Sequence, residues 1–82
     1  MDDANVGTVT TLDATGLLCP LPVLKARRAL KPLPPGAVLD VLATDPGAVK
    51  DFEAFCKTTG DALLETRRDG EVLVFLIRKR DD

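Results

Sequence analysis

The chain has 82 residues, 11 basic against 13 acidic, a net charge of −2 at pH 7, and no His, Trp or Tyr. A chain this short forms one domain and buries only about 60–65% of the surface its unfolded form exposes, which leaves little room for a deep substrate cavity. The charge balance argues against a polyanion-binding surface and the three Phe against base stacking, so direct nucleic-acid binding is not expected; without His, a Cys-His hydrolytic pair is excluded.

Met1-Asp2-Asp3-Ala4-Asn5 is acidic and polar, the opposite of a secretory signal, and residues 1–7 read as a frayed tail ahead of a single domain over 8–80. Val9 to Asp13 is β-prone. Pro22 to Leu30 places Val23, Ala26 and Leu30 on one helical face and is ended by Pro32, Pro34, Pro35 and Gly36. Val38 to Thr44 is a second strand. Asp45-Pro46-Gly47 opens a second helix through Thr59, with Ala48, Val49, Phe52, Phe55 and Cys56 as its buried stripe and Gly60 as its stop. Leu63 to Arg68 and Glu71 to Lys79 pair across Asp69-Gly70, a type I′ hairpin signal. The order β-α-β-α-β-β, with right-handed crossovers, puts both helices on one face of a four-stranded mixed sheet: an α/β chain folded as an α+β two-layer sandwich. There is no repeat or internal linker. The longest apolar run, Val72 to Ile77, is six residues, far short of a membrane span, so a cytoplasmic chain with reduced thiols and no membrane contact is expected.

Cys19 heads the run Cys19-Pro20-Leu21-Pro22 where the first helix begins. Amides and the positive dipole end at a helix start favour negative charge, so a cysteine there is expected to hold thiolate at neutral pH, the form that attacks electrophiles. Pro20 suits the first helical position. Pro20 and Pro22 also remove donors, so the preceding loop, with Asp13 and Gly16, must shape the pocket. The bland alternative for Cys19 is a buried structural thiol, which is the reading for Cys56 on its helix stripe.

Asp45 reads first as the N-cap of the second helix and second as the rim of the Cys19 site, because both helices start at the same sheet edge. Asp51 is read as serving the second helix's own amides. Lys25, Arg27, Arg28 and Lys31 form either a solvated face or a docking patch for an acidic partner, centred on Lys25, Arg27 and Arg28. The two cysteines are 37 positions apart with no C-x-x-C, so neither a thioredoxin-like pair nor a metal site has support.

The stretch Leu12-Asp13-Ala14-Thr15-Gly16-Leu17-Leu18-Cys19-Pro20-Leu21-Pro22 resembles the CPxP signature of the TusA/SirA sulfur-carrier proteins, with its Asp-x-x-Gly-Leu-x lead-in. Leu33-Pro34-Pro35-Gly36, Thr44-Asp45-Pro46, Asp51, Phe55-Cys56 and the Asp69-Gly70 turn fall where that family has them, so the similarity runs from Leu12 to Lys79. The resemblance implies a sulfurtransferase that works as a protein-to-protein relay, with Cys19 as the persulfide site. It also implies a cysteine desulfurase or rhodanese-like donor, a downstream sulfur-acceptor protein, and no metal or organic cofactor. The destinations it implies are tRNA 2-thiouridine, molybdenum cofactor and sulfur oxidation. Leu21 departs from the Glu that many tRNA-thiolation members carry between the prolines, removing a charge beside the sulfur. Two other classes remain at this stage: a regulatory or interaction module that needs no thiol, and a redox protein that joins Cys19 to Cys56, a pairing that the stripe position of Cys56 disfavours.

Overall fold

The structure, a computed structural model, describes residues 9–81; the tail expected over residues 1–7 lies outside them. Six elements follow in chain order: β1 (Val9–Ala14), α1 (Leu21–Leu30), β2 (Val38–Ala43), α2 (Ala48–Thr59), β3 (Ala62–Asp69) and β4 (Val72–Arg78). β1 and β2 are parallel, β4 runs antiparallel to both β2 and β3, and the sheet order is β1-β2-β4-β3. This is the two-layer α+β sandwich that the periodicity predicts.

Alternation along β2 turns Leu39, Val41 and Ala43 to the core, and Leu73, Phe75 and Ile77 do the same on β4. Each helix answers with a stripe at four-residue spacing: Pro22, Ala26 and Leu30 on α1, Ala48, Phe52 and Cys56 on α2. The α1 stripe is rotated from the predicted face, since Pro22 is buried and Val23 only half so. Phe52 stacks on Phe75 with ring centroids 4.6 Å apart, anchoring α2 to the sheet. At the carboxyl ends of the parallel strands Ala14 lies opposite Ala43, and both are fully buried, as is Ala48 at the start of α2. Three methyl-sized side chains there let the loops that enter the two helices close on one another.

Local departures from the sequence reading have simple causes. α1 starts at Leu21, so Pro20 occupies the capping position (φ −101°, ψ 18°) after a cis Cys19–Pro20 bond, and Pro22 rather than Pro20 lies in the first turn. Asp69 pairs with Val72, so the hairpin loop is Gly70-Glu71, one residue later than expected. Of the two loop residues Gly70 alone has positive φ (63°), whereas a type I′ turn needs it at both central residues.

The far ends of the helices are closed by one short segment. Lys79 Nζ donates to the carbonyls of Leu30 (2.9 Å), Lys31 (3.0 Å) and Leu33 (2.7 Å) where α1 ends. Its neighbour Arg80 donates from Nη1 to the Thr59 carbonyl (2.9 Å) and from its backbone N–H to Asp61 Oδ1 (2.9 Å) where α2 ends. Gly60 takes the left-handed turn (φ 87°) there and returns its N–H to Cys56 O.

Candidate functional site

The loop from β1 into α1 is built before it reaches the thiol. Asp13 accepts from the Thr15 hydroxyl (2.6 Å) and N–H (2.9 Å), and these two bonds hold its carboxyl below the usual range. Gly16, at φ 80°, donates its N–H to Thr44 Oγ1 (2.9 Å), tying this loop to the one that follows β2. Lys25 turns back and donates to the Asp13 carbonyl (3.2 Å). Asp13, Gly16 and Lys25 thus form the support of the loop.

Cys19 is exposed at the junction of the two helix starts. Its N–H donates to Asp45 Oδ2 (2.5 Å), and its thiol donates to Asp51 Oδ2. The other Asp45 oxygen accepts the Gly47 N–H (3.2 Å), and the Asp45 carbonyl accepts the Ala48 N–H (2.9 Å). The cap position of α2 is Gly47, not Asp45: Asp45 makes an Asx turn two residues earlier and clasps the Cys19 loop with its free oxygen. Asp51, read from sequence as serving its own helix, instead reaches across to the sulfur.

That geometry reverses the expected protonation. The hydrogen bond to Asp51, then desolvation, then the charges of Asp51 and Asp45, push the Cys19 thiol up to about 11. The resting side chain is a thiol rather than a thiolate. Two of the residues that would offer amides at the start of α1 are Pro20 and Pro22, and the remaining positive potential has drawn in carboxylates. Cys56 is 6% exposed in the core and is also pushed up to about 11, chiefly by burial and then by Asp61.

Between α1 and α2 runs a groove of about 480 Å³, mostly apolar, with Pro20, Val23, Leu24, Arg27, Asp51 and Phe55 among its walls. Leu18 (72% exposed), Leu21 and Leu24 stand free around the thiol. Arg28 lies on the other side of Leu24, beside Lys25, and neither Arg27 nor Arg28 has an ion-pair partner among the described residues. Two neighbours of the sulfur escaped the sequence reading. Asp51 is 32 positions away, and the bare Cα of Gly47 sits so close that an added Cβ would meet Cys19 Sγ at 3.6 Å. The common edge at which both helices begin was the available signal for Asp51.

Comparison with known proteins identifies the family to which this fold belongs. Residues 10–79 match the family described as Sulfurtransferase TusA. The sulfur carrier protein TusA of Allochromatium vinosum is 54% identical over 68 residues, covering 83% of this chain and 90% of that protein. The sulfur carrier protein TusA of Pseudomonas syringae pv. tomato is 39% identical over 71 residues, covering 87% and 84%. The crystal structure of a SirA-like protein from Desulfitobacterium hafniense superposes with a TM-score of 0.77 at 28% identity, over 90% of this chain and 100% of that one. The chain belongs to the TusA sulfurtransferase family.

Proposed function

We propose that this chain is a sulfur carrier that holds sulfane sulfur as a persulfide on Cys19 and relays it between proteins. The observation that carries this reading is an exposed thiol next to Pro20 and bonded to Asp51, two residues that line an apolar groove, in a fold whose other cysteine is buried in the core. A donor of the cysteine desulfurase or rhodanese class presents R–S–SH. Cys19 Sγ attacks the terminal sulfur, the donor's S–S bond breaks, and Cys19-S-SH and R–SH result. An acceptor thiol takes the sulfur by the same exchange. The chemistry is common to acceptors in tRNA 2-thiouridine, molybdenum cofactor and sulfur-oxidation routes, so the acceptor sets the pathway. A reducing cytoplasm suits this exchange, because both thiols must stay free.

Arg27 and Arg28, with Leu18, Leu21 and Leu24, supply the docking surface for an acidic, partly apolar partner; Lys25, turned back on Asp13, supports the loop instead. Burial of Cys56 opposes the redox alternative, since it leaves Cys19 without a surface partner. Intact mass after incubation with a cysteine desulfurase and cysteine tests the reading. A gain of one sulfur on Cys19, reversed by reductant, is expected; a protein that stays unmodified while the desulfurase turns over sinks it.

A further inference from the structure

Two carboxylates face the Cys19 sulfur, and they are not equivalent. Asp45, in the loop ahead of α2, has both oxygens engaged by backbone N–H groups, those of Gly47 and Cys19. Asp51 touches the thiol itself and takes its hydrogen. It lies in the first turn of α2, where its own N–H is bonded to the Gly47 carbonyl (3.3 Å), so the helix fixes the backbone from which the carboxylate reaches the sulfur. Arg27 of α1 lines the same groove as Asp51.

We propose that Asp51 is the proton carrier of the sulfur exchange, taking the Cys19 proton as Sγ attacks and delivering it to the thiolate that departs. This role rests on the reading of Cys19 as the persulfide site. On loading, the Sγ–H proton passes to Asp51 Oδ2, the Sγ electron pair forms the new S–S bond, and the donor's S–S bond breaks with its pair going to R–S⁻. R–S⁻ then takes the proton from Asp51, so that Cys19-SH and R–S–SH give Cys19-S-SH and R–SH without oxidant or reductant. On unloading, Asp51 receives the incoming thiol's proton and returns it to Sγ as that sulfur leaves. An internal proton carrier explains how a thiol pushed up to about 11 exchanges sulfur near neutral pH, where only about one molecule in 10⁴ is thiolate.

The test uses two electrophiles that differ in what leaves. Iodide needs no proton, so alkylation by iodoacetamide reads the thiolate fraction of Cys19; glutathione persulfide leaves a thiolate that does need one. Both rates are followed by intact mass against pH in the wild-type chain, Asp51→Asn and Asp51→Glu. With Asp51→Asn the alkylation midpoint falls, so alkylation near pH 7 speeds up, while sulfur loading slows by on the order of 10²-fold and becomes steeply pH-dependent. Asp51→Glu, which keeps the carboxylate, recovers a large part of the loading. Opposite responses to the two electrophiles are outside the reach of a merely structural residue. Loading of Asp51→Asn that rises in step with its alkylation overturns the proposal, leaving Asp51 as a group that only suppresses thiolate. Loading of a folded Asp51→Glu that stays at the Asn level does the same. If the wild-type chain alkylates at Cys19 but gains no sulfur, the carrier reading itself falls, a result distinct from either of these.

Discussion

Where α1 and α2 begin, Asp45 and Asp51 face an exposed thiol; where they finish, Lys79 and Arg80 face backbone carbonyls. Both ends obey helix electrostatics, which draws anions to N-termini and cations to C-termini. The difference lies in what the attracted charges meet. At the finishing end each cation finds oxygens without intrahelical partners, and the result is a static clasp. At the starting end two of the first residues are proline and lack the N–H, so the carboxylates bond a thiol and its loop instead. The dipole therefore acts on Cys19 with the opposite sign from the direct expectation, because the anions it favours raise the thiol rather than acidify it.

The sharpest break of this comparison is Cys19→Ser, which should abolish sulfur gain by mass while melting within a few degrees of wild type; retained sulfur would move the site elsewhere. Next comes Lys79→Met, which leaves three carbonyls without their ammonium. We expect a loss of about 2 kcal/mol and a fall in Tm of about 10 °C, with Cys19 alkylation unchanged. A stable variant with altered alkylation would mean that the two ends are coupled.

Asp45→Ala should cost about 1 kcal/mol for the lost loop bonds and lower the alkylation midpoint of Cys19 but not that of Cys56, because only the former faces Asp45. Parallel movement of both midpoints would deny the local cause. For both thiols the folded value is raised above the ordinary 9.0. Their contribution to stability is therefore complete below about pH 9 and lost as pH climbs towards 11. Denaturant midpoints measured across that window should fall, and less steeply in Cys56→Ala. The smallest effect is expected for Arg28→Glu: partner-dependent loading slows by about threefold to tenfold at low salt and converges with wild type at high salt. A salt-independent deficit would return Arg28 to a solvated face.

The element order and the core were legible because periodicity reports which face a residue must bury, and Leu39, Val41, Phe52 and Ile77 obey it. Cys19 was legible as a thiol at a helix start. Its protonation was not, because that depends on two side chains 26 and 32 positions away, whose direction is fixed only when the alanine-lined strand ends bring the loops together. The clasp made by Lys79 and Arg80 was not legible for the same reason: the carbonyls they meet belong to segments distant in the chain. The hairpin loop falls one residue later because Asp69 is taken into the ladder opposite Val72, which leaves Gly70-Glu71 as the loop.

The Asp45 clasp also bears on affinity. By holding Gly47 with one oxygen and Cys19 with the other, it arranges the thiol-bearing loop before any partner arrives. Ordering a slack segment at the moment of association costs roughly 1–2 kcal/mol per residue, and a carrier that met that cost at every handover would bind each partner correspondingly more weakly. Here it is met during folding, so in the relay proposed above donor and acceptor would meet the same preformed loop. Their affinities can then be set by what they bring to the groove, and a relay needs that freedom if it is to let go of one partner in favour of the next.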